Sequence, residues 1–472
     1  MAMLAPLLNM TMIGPLPIEV FYLILVLAFV MLLFILFKRP IYETMFLAFC
    51  FSVVMTGKYN LFFKHLVFPA TQSNLFYIIV SFLALAYILE KTKVVEKLIR
   101  IILAIFGGLP GGAGYVALFG SAALATMTGT GPGNVAATGV FTIPAMIKSG
   151  FSRELAATTE ASCSMLGNQM GPGLNLVGFG ILAGLYPAAN YNLATFWIAL
   201  WIVGGWLVVQ RLITLIILCK REGVKPIPRE ERPRFREALK NGWDSLLLPL
   251  IILFPIIFSS QASGFIQARL GVDGEAAFSS IVLMFTVGVC TVYALITGRN
   301  KIAESEGAFD IKVVYNMFKN CLRSVVPVGA TIYFAYAMSN VFKEVAMADA
   351  MQTWVTGLGL SKLGWTIAVV IFTGILGMVL PGSSQVALLG GAIISTGAAV
   401  GIDPFLVAAV MPAITGVMEG MTPPLALAMY TGMGIAKSEF WPTAKKQYIW
   451  VLGNIIATIL LFMGILPIFI KG

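Results

Sequence analysis

Apolar stretches separated by short polar loops run along almost the whole chain. Eight of these stretches are long enough to cross roughly 30 Å of hydrocarbon as helices, and they lie near residues 20–37, 41–57, 72–90, 193–219, 243–259, 276–298, 323–341 and 447–468. Two further spans, near 154–187 and 404–436, are interrupted by Gly and Pro. Between the spans, 91–153 and 362–403 are expected to enter the membrane and return. The pattern predicts an all-α polytopic membrane protein.

The two interrupted spans resemble each other. Residues 165–176 read MLGNQMGPGLNL and residues 416–427 read GVMEGMTPPLAL, at an offset of 251 (416 minus 165). Further upstream, the segments PGN and PGS align at an offset of 249, which places Asn134 opposite Ser383. Paired helix breaks at matching places in two halves indicate an inverted-topology repeat with its binding site at the breaks.

The repeat predicts how the chain is organised. The first repeat covers 1–219, with scaffold helices at about 20–90, a hairpin at about 107–150 and a broken helix at about 154–187. A cytoplasmic linker covers 220–242. The second repeat covers 243–472, with scaffold helices at about 243–341, a hairpin at about 362–403, a broken helix at about 404–436 and a last helix at 447–468.

Composition and charge agree with membrane insertion. The chain is 59% hydrophobic and 11% charged, whereas soluble domains carry about 25% charged residues. Most of the 31 Lys and Arg fall in loops on one side if both termini lie outside, as the positive-inside rule requires. This topology explains the net charge of +10 without a nucleic-acid partner. It also makes the first hairpin enter from the cytoplasm and the second from outside. Five scattered cysteines indicate no thiolate metal site.

Some segments leave alternatives open. Residues 94–106 and 311–322 are apolar with charges on one side, which fits either in-plane interfacial helices or continuations of spanning helices. Glu160 lies 12 residues before Pro172, about 18 Å along a helix at 1.5 Å per residue, so a surface or interhelical position is expected. Arg211 and Arg323 lie near span ends and are expected to snorkel.

The chemistry is expected at four breaks, which read TGTGPGN, NQMGPG, LPGSSQ and EGMTPP. Proline removes a backbone donor and glycine permits positive φ, so each helix must open there. Freed carbonyls and Asn, Ser and Thr oxygens would form a neutral cage for an alkali cation, with Asn134 and Ser383 as ligands. Asn168 and Glu419 align at the breaks and either face the site or cap local backbone. Glu419, an ionisable group in a span, is a functional candidate that could help bind the cation or carry a proton.

An anionic substrate would be held by helix N-termini, which carry positive partial charge and free amides. The expected substrate contacts at the four breaks are Thr130, Asn168, Gln169, Gly173, Gln385, Glu419 and Pro423.

At these breaks the chain also resembles a known family. The segments GTGPGNVAATGVFTIPAMIKSGFSRELAA, GILGMVLPGSSQVALLGGAI and EGMTPPLALAMYTGMGIAKSEFWPTAKKQ look like the large membrane subunit of tripartite ATP-independent periplasmic (TRAP) transporters, in a TAXI-like branch. The resemblance implies an elevator-type carrier in the inner membrane of a bacterium or archaeon. It also implies no cofactor, with sodium as the coupling ion bound by Gly133, Asn134, Thr138, Gly171, Ser383, Ser384 and Thr422.

The resemblance further implies three partners besides the lipid bilayer. These are a small organic acid, an extracytoplasmic binding protein that delivers it, and a small four-helix membrane subunit on a separate chain. Pro132 departs from the family's first tip, which is usually rich in Ser and Gly. A sodium- or proton-coupled dicarboxylate carrier without a binding protein has the same architecture and stays an alternative. A channel or an enzyme is not expected, because no polar pore helix is visible and the lone His65 lies in a loop without an acidic neighbour in sequence.

Overall fold

Helices account for almost all of the described chain. The computed structural model describes residues 12–13, 16–72, 74–92, 94–129, 131–171, 173–378, 380–423 and 425–470. A short antiparallel pair, Met12–Ile13 with Leu16–Pro17, precedes the first helix. The predicted all-α class is confirmed for these residues. The opposite orientation of the two halves in a bilayer stays a prediction.

The first half consists of helices whose bounds are Ile18–Met31 (continued by a π-helical turn at Leu32–Leu36), Ile41–Thr56, Phe62–Gln72, Asn74–Thr92, Val94–Phe106, Gly112–Thr128, Gly131–Lys148, Arg153–Ser164, Gly167–Met170, Leu174–Leu185 and Leu193–Glu222. The linker and second half contain Phe235–Gly242, Leu247–Gln261, Ser263–Glu306, Ile311–Glu344, Met347–Gly357, Lys362–Leu376, Gly382–Ala399, Pro404–Ile414, Gly416–Glu419, Leu427–Ala436 and Phe440–Phe462. Single 3-10 turns lie at Tyr59–Leu61, Pro187–Ala189, Arg229–Glu231 and Trp243–Leu246.

Several helices are suited to lipid. By length and composition, Leu193–Glu222, Phe235–Gln261 and Val325–Glu344 can cross a membrane. Other apolar helices are shorter, at 10–17 residues. Phe254 lies on one of the three candidate spans and Phe285 on the helix Ser263–Glu306, and both side chains are more than 70% exposed. Such apolar surfaces favour hydrocarbon over water, so these helices are expected to face lipid.

Local capping explains where many helices begin and end. Ser152 and Ser361 accept hydrogen bonds from the backbone N–H three residues on, at 3.2 and 3.1 Å, as N-cap residues do. Gly57 and Gly223 end their helices in the left-handed region, with φ of 68° and 64°, which favours glycine.

The structure corrects two expectations of the sequence analysis and decides between two alternatives at a third place. His65 lies in the helix Phe62–Gln72 rather than in a loop. Residues 311–322 are continuous with the helix that ends at Glu344, so the continuation alternative is confirmed there. The last helix begins at Phe440, seven residues earlier than predicted (447 minus 440). Lys446 is tolerated in that helix because it pairs with Glu222.

The hairpins and broken helices form the centre of the molecule. We call the helices Gly112–Thr128 and Gly131–Lys148 the first hairpin, and Lys362–Leu376 with Gly382–Ala399 the second. The helices Arg153–Ser164, Gly167–Met170 and Leu174–Leu185 form the first broken helix. The second consists of Pro404–Ile414, Gly416–Glu419 and Leu427–Ala436. The halves cross over, because Leu427–Ala436 packs on Arg153–Ser164, and Gly382–Ala399 packs on Leu174–Leu185. All four breaks therefore lie together.

Candidate functional site

The two broken helices meet through Asn168 and Glu419. Asn168 Nδ2 donates to Glu419 Oε1 over 3.2 Å and to the carbonyl of Gly416 over 2.8 Å. Both residues lie in single helical turns, Gly167–Met170 and Gly416–Glu419, between the longer segments. The structure thus brings together two residues that the sequence analysis only aligned.

Each of these residues also caps a hairpin helix. The N–H of Gly131 donates to Asn168 Oδ1 over 2.9 Å, and the N–H of Gly382 donates to Glu419 Oε2. Gly131 and Gly382 are the first residues of the returning hairpin helices, whose N-terminal amides lack intrahelical partners. Asn168 and Glu419 therefore cap backbone, but the backbone belongs to a hairpin rather than to their own helix. Their substrate roles stay predictions.

The caps correct the alignment of the hairpin tips. Gly131 and Gly382 are related by the same offset in sequence as their acceptors, Asn168 and Glu419. The tips therefore share the offset of the interrupted spans, which we call the common register, and the separate alignment of PGN with PGS was wrong. In the common register, the counterpart of Asn134 is Gln385 rather than Ser383.

A close approach at the second cap supports this register. A Cβ atom on Gly382 would lie 2.4 Å from Gly416 Cα, and one on Gly131 would lie 2.0 Å from Met165 Sδ. Met165 and Gly416 are themselves counterparts in the common register. In both halves, glycine at this position lets the hairpin tip touch the broken helix.

Asn134 and Gln385 share a distinctive arrangement. Both are completely buried. Asn134 Nδ2 donates to the carbonyls of Ser121 and Ser164 over 3.0 and 3.3 Å, and Gln385 Nε2 donates to the carbonyl of Leu380 over 2.9 Å. Since a carbonyl only accepts, these contacts determine which amide atom is nitrogen. Asn134 Oδ1 and Gln385 Oε1 are then left without a hydrogen-bond donor among the described residues, as is Ser384 Oγ.

Unpaired buried oxygens are rare and costly. We call Asn134 Oδ1, Ser384 Oγ and Gln385 Oε1 the tip oxygens. All three are neutral and hard, and they lie within the first turn of the two returning hairpin helices. Such oxygens are suited to a cation bound without a carboxylate.

The other predicted cation ligands are placed around these tips. Gly171 packs so closely that a Cβ atom would lie 2.3 Å from the carbonyl oxygen of Ala125. Thr422 is buried, and its hydroxyl donates to the Met418 carbonyl over 2.8 Å. Ser383 is half-buried and Gly133 is exposed. Their binding of sodium stays a prediction.

Two of the remaining predicted substrate contacts, Gln169 and Gly173, bond to neighbouring residues. Gln169 Nε2 donates to the carbonyl of Ala409 over 3.0 Å and so ties the two broken helices together. The N–H of Gly173 donates to Asn175 Oδ1 over 3.1 Å, and Pro423 is half-buried. Thr130 lies outside the described residues. Their substrate contacts stay predictions.

Asn175 is a residue that the sequence analysis missed. Its Nδ2 donates to the carbonyls of Gln169, over 3.1 Å, and Gly171, while its Oδ1 accepts from the N–H groups of Gly173 and Leu176. One side chain thus satisfies both the carbonyls and the amides that the break leaves open. Asparagine two residues after a Gly-Pro-Gly segment is the signal for such a role, because Asn bonds nearby backbone readily.

Glu160 takes the interhelical position that the sequence analysis allowed, and the surface alternative was wrong. It is completely buried, and its carboxyl group contacts the hydroxyls of Ser121, Thr138, Thr142 and Ser164. The distance along the helix predicts how deep Glu160 lies but not towards which neighbours its side chain points. The whole turn around it is buried because the hairpin covers one side and Leu427–Ala436 the other.

Arg211 does not snorkel as predicted. It is buried, with Nε donating to the Ser162 carbonyl over 2.8 Å and Nη2 to Asn454 Oδ1 over 3.4 Å. The carbonyl that it meets belongs to the first broken helix, so tertiary packing outweighs its position near a span end. Arg323 is exposed, which fits its predicted position.

Comparisons with known proteins agree on one family. The family model described as "Tripartite ATP-independent periplasmic transporter, DctM component" matches residues 21–467. The chain is 24% identical over 379 residues to the C4-dicarboxylate TRAP transporter large permease protein DctM of Vibrio cholerae, covering 76% of this chain and 77% of that protein. It is 21% identical over 351 residues to the sialic acid TRAP transporter large permease protein SiaM of the same organism, covering 74% of each.

Further matches are more distant or partial. Identity with the isethionate TRAP transporter permease protein DctMQ of Oleidesulfovibrio alaskensis is 21% over 455 residues, covering 93% of this chain and 65% of that protein. Among solved structures, Neisseria gonorrhoeae MtrF superposes with a TM-score of 0.57 at 13% identity, over 86% of this chain and 83% of that one. The Alcanivorax borkumensis YdaH transporter superposes with a TM-score of 0.52 at 14% identity, over 81% of this chain and 84% of that one. At these identities the two structures show only a shared fold.

Proposed function

The chain belongs to the DctM-component family of tripartite ATP-independent periplasmic transporters, and on that premise we propose that it takes up a small organic acid by sodium-coupled secondary transport. Family membership itself makes the chain an integral inner-membrane transport protein and not an enzyme. The sodium coupling, the substrate class and the elevator movement are the proposed part.

The tip oxygens carry the proposal for sodium. Asn134 Oδ1 and Gln385 Oε1 occupy the same position in the two halves, and each is fixed by its amide nitrogen. A buried oxygen without a donor costs free energy of roughly 1–3 kcal/mol. A cation would remove this cost at both tips, and neutral ligands favour a monovalent ion over a divalent one.

The substrate proposal rests on relatives and on a cavity. The relatives are named for C4-dicarboxylates, sialic acid and isethionate. In this chain a cavity lies between Leu174–Leu185, Ile311–Glu344 and Gly382–Ala399, and its polar lining includes Asn340, Lys343 and Asp349. The Lys343 ammonium and the Asn340 amide could bind a carboxylate group of the substrate, while Asp349 offsets part of the positive charge.

The proposed complex has the three components that the family description implies. An extracytoplasmic binding protein would deliver the acid, and a small four-helix membrane subunit on a separate chain would support the scaffold helices. We assign the chain to a TAXI-like branch on the sequence resemblance alone. Uptake into proteoliposomes with and without the binding protein tests this part, because uptake without it would favour the stand-alone carrier.

Sodium binding is tested by thermal unfolding of the purified full chain in sodium and in equimolar potassium. At 100 times its Kd, a cation that binds only the folded state adds about 2.7 kcal/mol to the free energy of unfolding. We expect a sodium-specific rise in the wild type, and a smaller one in Asn134→Ala and Gln385→Ala. Ser395→Ala is the matched control, since Ser395 lies in the same helix Gly382–Ala399 but more than three turns from the tip, where its hydroxyl bonds the Gly391 carbonyl. Equal midpoints in sodium and potassium for the wild type would contradict the proposal.

A further inference from the structure

A further cavity, of about 600 Å³, lies where the helix Leu193–Glu222 meets the linker. Three segments line it: the end of the helix Val94–Phe106 with the loop that follows, the first hairpin, and the last part of Leu193–Glu222 with the residues just after it. Among the described residues, none that lines this cavity belongs to a broken helix or to the second hairpin. The cavity, which we call the linker cavity, is therefore separate from the four breaks and from the cavity proposed for the substrate.

The linker cavity changes from apolar to positively charged along the helix that precedes the linker. Leu212 and Ile216 line one end, and Lys220 lines the other. These positions are four residues apart, so they share one face of the helix, and they span about 12 Å at 1.5 Å per residue. Phe106 and Phe119, whose rings stack with their centroids 4.7 Å apart, add an apolar wall. A ligand that fills this cavity therefore needs an apolar body and an anionic end.

The surface around the apolar end is expected to face lipid. Ile213 and Ile217, which lie beside it on the same helix, are 54% and 52% exposed, and Leu109, which lines the cavity from the loop, is 49% exposed. Apolar side chains exposed on an integral membrane protein are covered by acyl chains rather than by water. An acyl chain can therefore reach the linker cavity from the bilayer, whereas a fully polar ligand would leave the apolar lining unfilled.

A second basic group, Arg232, lies over the loop that lines the cavity. A Cβ atom on Gly107 would lie 3.3 Å from Arg232 Cγ, and one on Gly108 would lie 2.6 Å from Arg232 Nη1. The missing side chain of Gly108 thus leaves the space that the guanidinium occupies. The Gly107 carbonyl also accepts from the N–H of Ile227 over 3.1 Å, so the linker is held against this loop.

Neither basic group is neutralised by the part of the chain that the structure describes. Within it, no carboxylate lies within ion-pair distance of Lys220 or Arg232, and Arg232 Nε is buried without an acceptor. Glu222, the acid nearest to Lys220 in sequence, instead pairs with Lys446 and accepts from the N–H of Ser152. A buried charged donor without a partner is costly, so an anion bound here would be stabilised.

We propose that the linker cavity binds an anionic phospholipid, with an acyl chain against Leu212 and Ile216 and the phosphate group towards Lys220 and Arg232. Phosphate oxygens accept charge-assisted hydrogen bonds from both kinds of cation. Basic pockets beside spanning helices on the cytoplasmic side bind such headgroups, and the linker is predicted to lie on that side. A zwitterionic headgroup would place an ammonium beside two unpaired cations, so a net negative headgroup is favoured. This inference goes beyond the proposed transport function and does not depend on it.

The wild type alone provides the first test, by native mass spectrometry of the purified full chain. The chain is stripped of lipid in a neutral detergent and titrated with phosphatidylglycerol, or with phosphatidylcholine of the same acyl chains. We expect one phosphatidylglycerol to bind per chain at concentrations at which phosphatidylcholine does not. Equal binding of the two lipids would overturn the proposal, because the cavity would then accept any acyl chain.

A pair of tryptophan variants locates the acyl chain. Ile216→Trp fills the linker cavity and should abolish the preference for phosphatidylglycerol. Ile217→Trp, one residue further along and on the exposed face of the same helix, should bind like the wild type. Equal binding by the two variants would show that the acyl chain lies outside the cavity. If Ile216→Trp does not fold, the lipid comparison and the charge variants still decide the question.

Two double variants test the charged end. Lys220→Gln combined with Arg232→Gln should weaken binding of phosphatidylglycerol about 30-fold, which corresponds to about 2 kcal/mol at roughly 1 kcal/mol per basic residue. Arg221→Gln combined with Lys225→Gln removes the same charge from exposed positions that do not line the cavity, and should leave the affinity unchanged. Equal weakening by the two pairs would mean that the lipid responds only to general surface charge, and the proposed site would be refuted.

Soluble glycerol 3-phosphate distinguishes a lipid from a free phosphate, because it carries a phosphate group without acyl chains. In thermal unfolding, phosphatidylglycerol should raise the midpoint of the wild type, whereas glycerol 3-phosphate at the same concentration should not. An equal rise would identify a soluble phosphate as the ligand and overturn the lipid proposal. None of these measurements involves uptake, so this proposal and the proposed transport function can fail independently.

Discussion

The contact between Asn168 and Glu419 is the place where the two halves can be tested for direct coupling. We consider Asn168→Ala, Glu419→Ala and the double variant. Glu419→Ala removes the acceptor of the Gly382 N–H and one of the two acceptors of Asn168 Nδ2. Hydrogen bonds to charged groups contribute about 1.5–3 kcal/mol, and a lost N-cap costs about 1 kcal/mol. We therefore expect Glu419→Ala to lower the free energy of unfolding by about 2–4 kcal/mol.

Asn168→Ala removes a different set of bonds. The Gly131 N–H loses its cap, and the Gly416 carbonyl loses its donor. Both partners are neutral, so a loss of about 1–3 kcal/mol is expected. The amide–carboxylate contact at 3.2 Å is removed by either variant. The double variant should therefore be less destabilised than the sum of the two single variants, by about 1 kcal/mol, within the range of roughly 0.5–3 kcal/mol for contacting residues.

The assay is reversible denaturant unfolding in mixed micelles, followed by tryptophan fluorescence. Asp310→Ala provides the matched control, because Asp310 caps the helix Ile311–Glu344 through Val313 N and shares no partner with Asn168. Asn168→Ala combined with Asp310→Ala should be additive within about 0.5 kcal/mol. If Asn168→Ala and Glu419→Ala are just as additive, the two halves are not joined through this contact and our interpretation of the caps fails.

Two further substitutions test the geometry of the first break by thermal unfolding. Gly171→Ala should lower the free energy of unfolding by about 2 kcal/mol or more, as other severe steric changes do, because its Cβ would lie 2.3 Å from the Ala125 carbonyl oxygen. Gly184→Ala should be neutral or slightly stabilising, because a Cβ there would have no atom within 4 Å. Equal midpoints for the two would contradict the close packing. Asn175→Asp should be more destabilising than Asn175→Ala, because a carboxylate still accepts from the Gly173 N–H but repels the carbonyls to which Asn175 Nδ2 donates. The opposite order would mean that only the bonds accepted by Asn175 Oδ1 from backbone N–H groups stabilise the break.

Helix breaks could be predicted from the sequence because proline and glycine act on their own backbone. The interruptions at 168–173 and 419–424 were located correctly for that reason. The tip alignment failed because it compared letters, PGN with PGS. The actual register is set by two backbone amides, those of Gly131 and Gly382, and their acceptors lie 37 residues further along in each half (168 minus 131, 419 minus 382). No local pattern contains that information.

Buried polar residues were the hardest to predict, for a related physical reason. Periodicity shows which residues share a face of a helix. In Arg153–Ser164, however, residues 155–164 are all buried, so the sequence has no exposed polar stripe that would mark a buried face. The four hydroxyls around Glu160 come from three separate helices. Likewise, Arg211 was expected to snorkel because it lies near a span end, yet its acceptor is a carbonyl 49 residues earlier (211 minus 162). Such partners become visible only once the helices have packed.

The two halves share a backbone plan but differ in where they place a carboxyl group. At the caps, the first half has neutral Asn168 and the second has Glu419, whereas behind the hairpins the first half has Glu160 and the second has Met411. Under the proposed transport function, shared backbone geometry would let each hairpin adopt the arrangement of the other, as alternating access by an inverted repeat requires. A fully symmetric pair of halves would carry the same carboxyl groups at matching positions. Here Glu160 contacts the first hairpin and Glu419 caps the second, so each carboxyl group acts on a different hairpin. The backbone repeat would then provide the movement, and the unequal side chains would make the two hairpins respond differently.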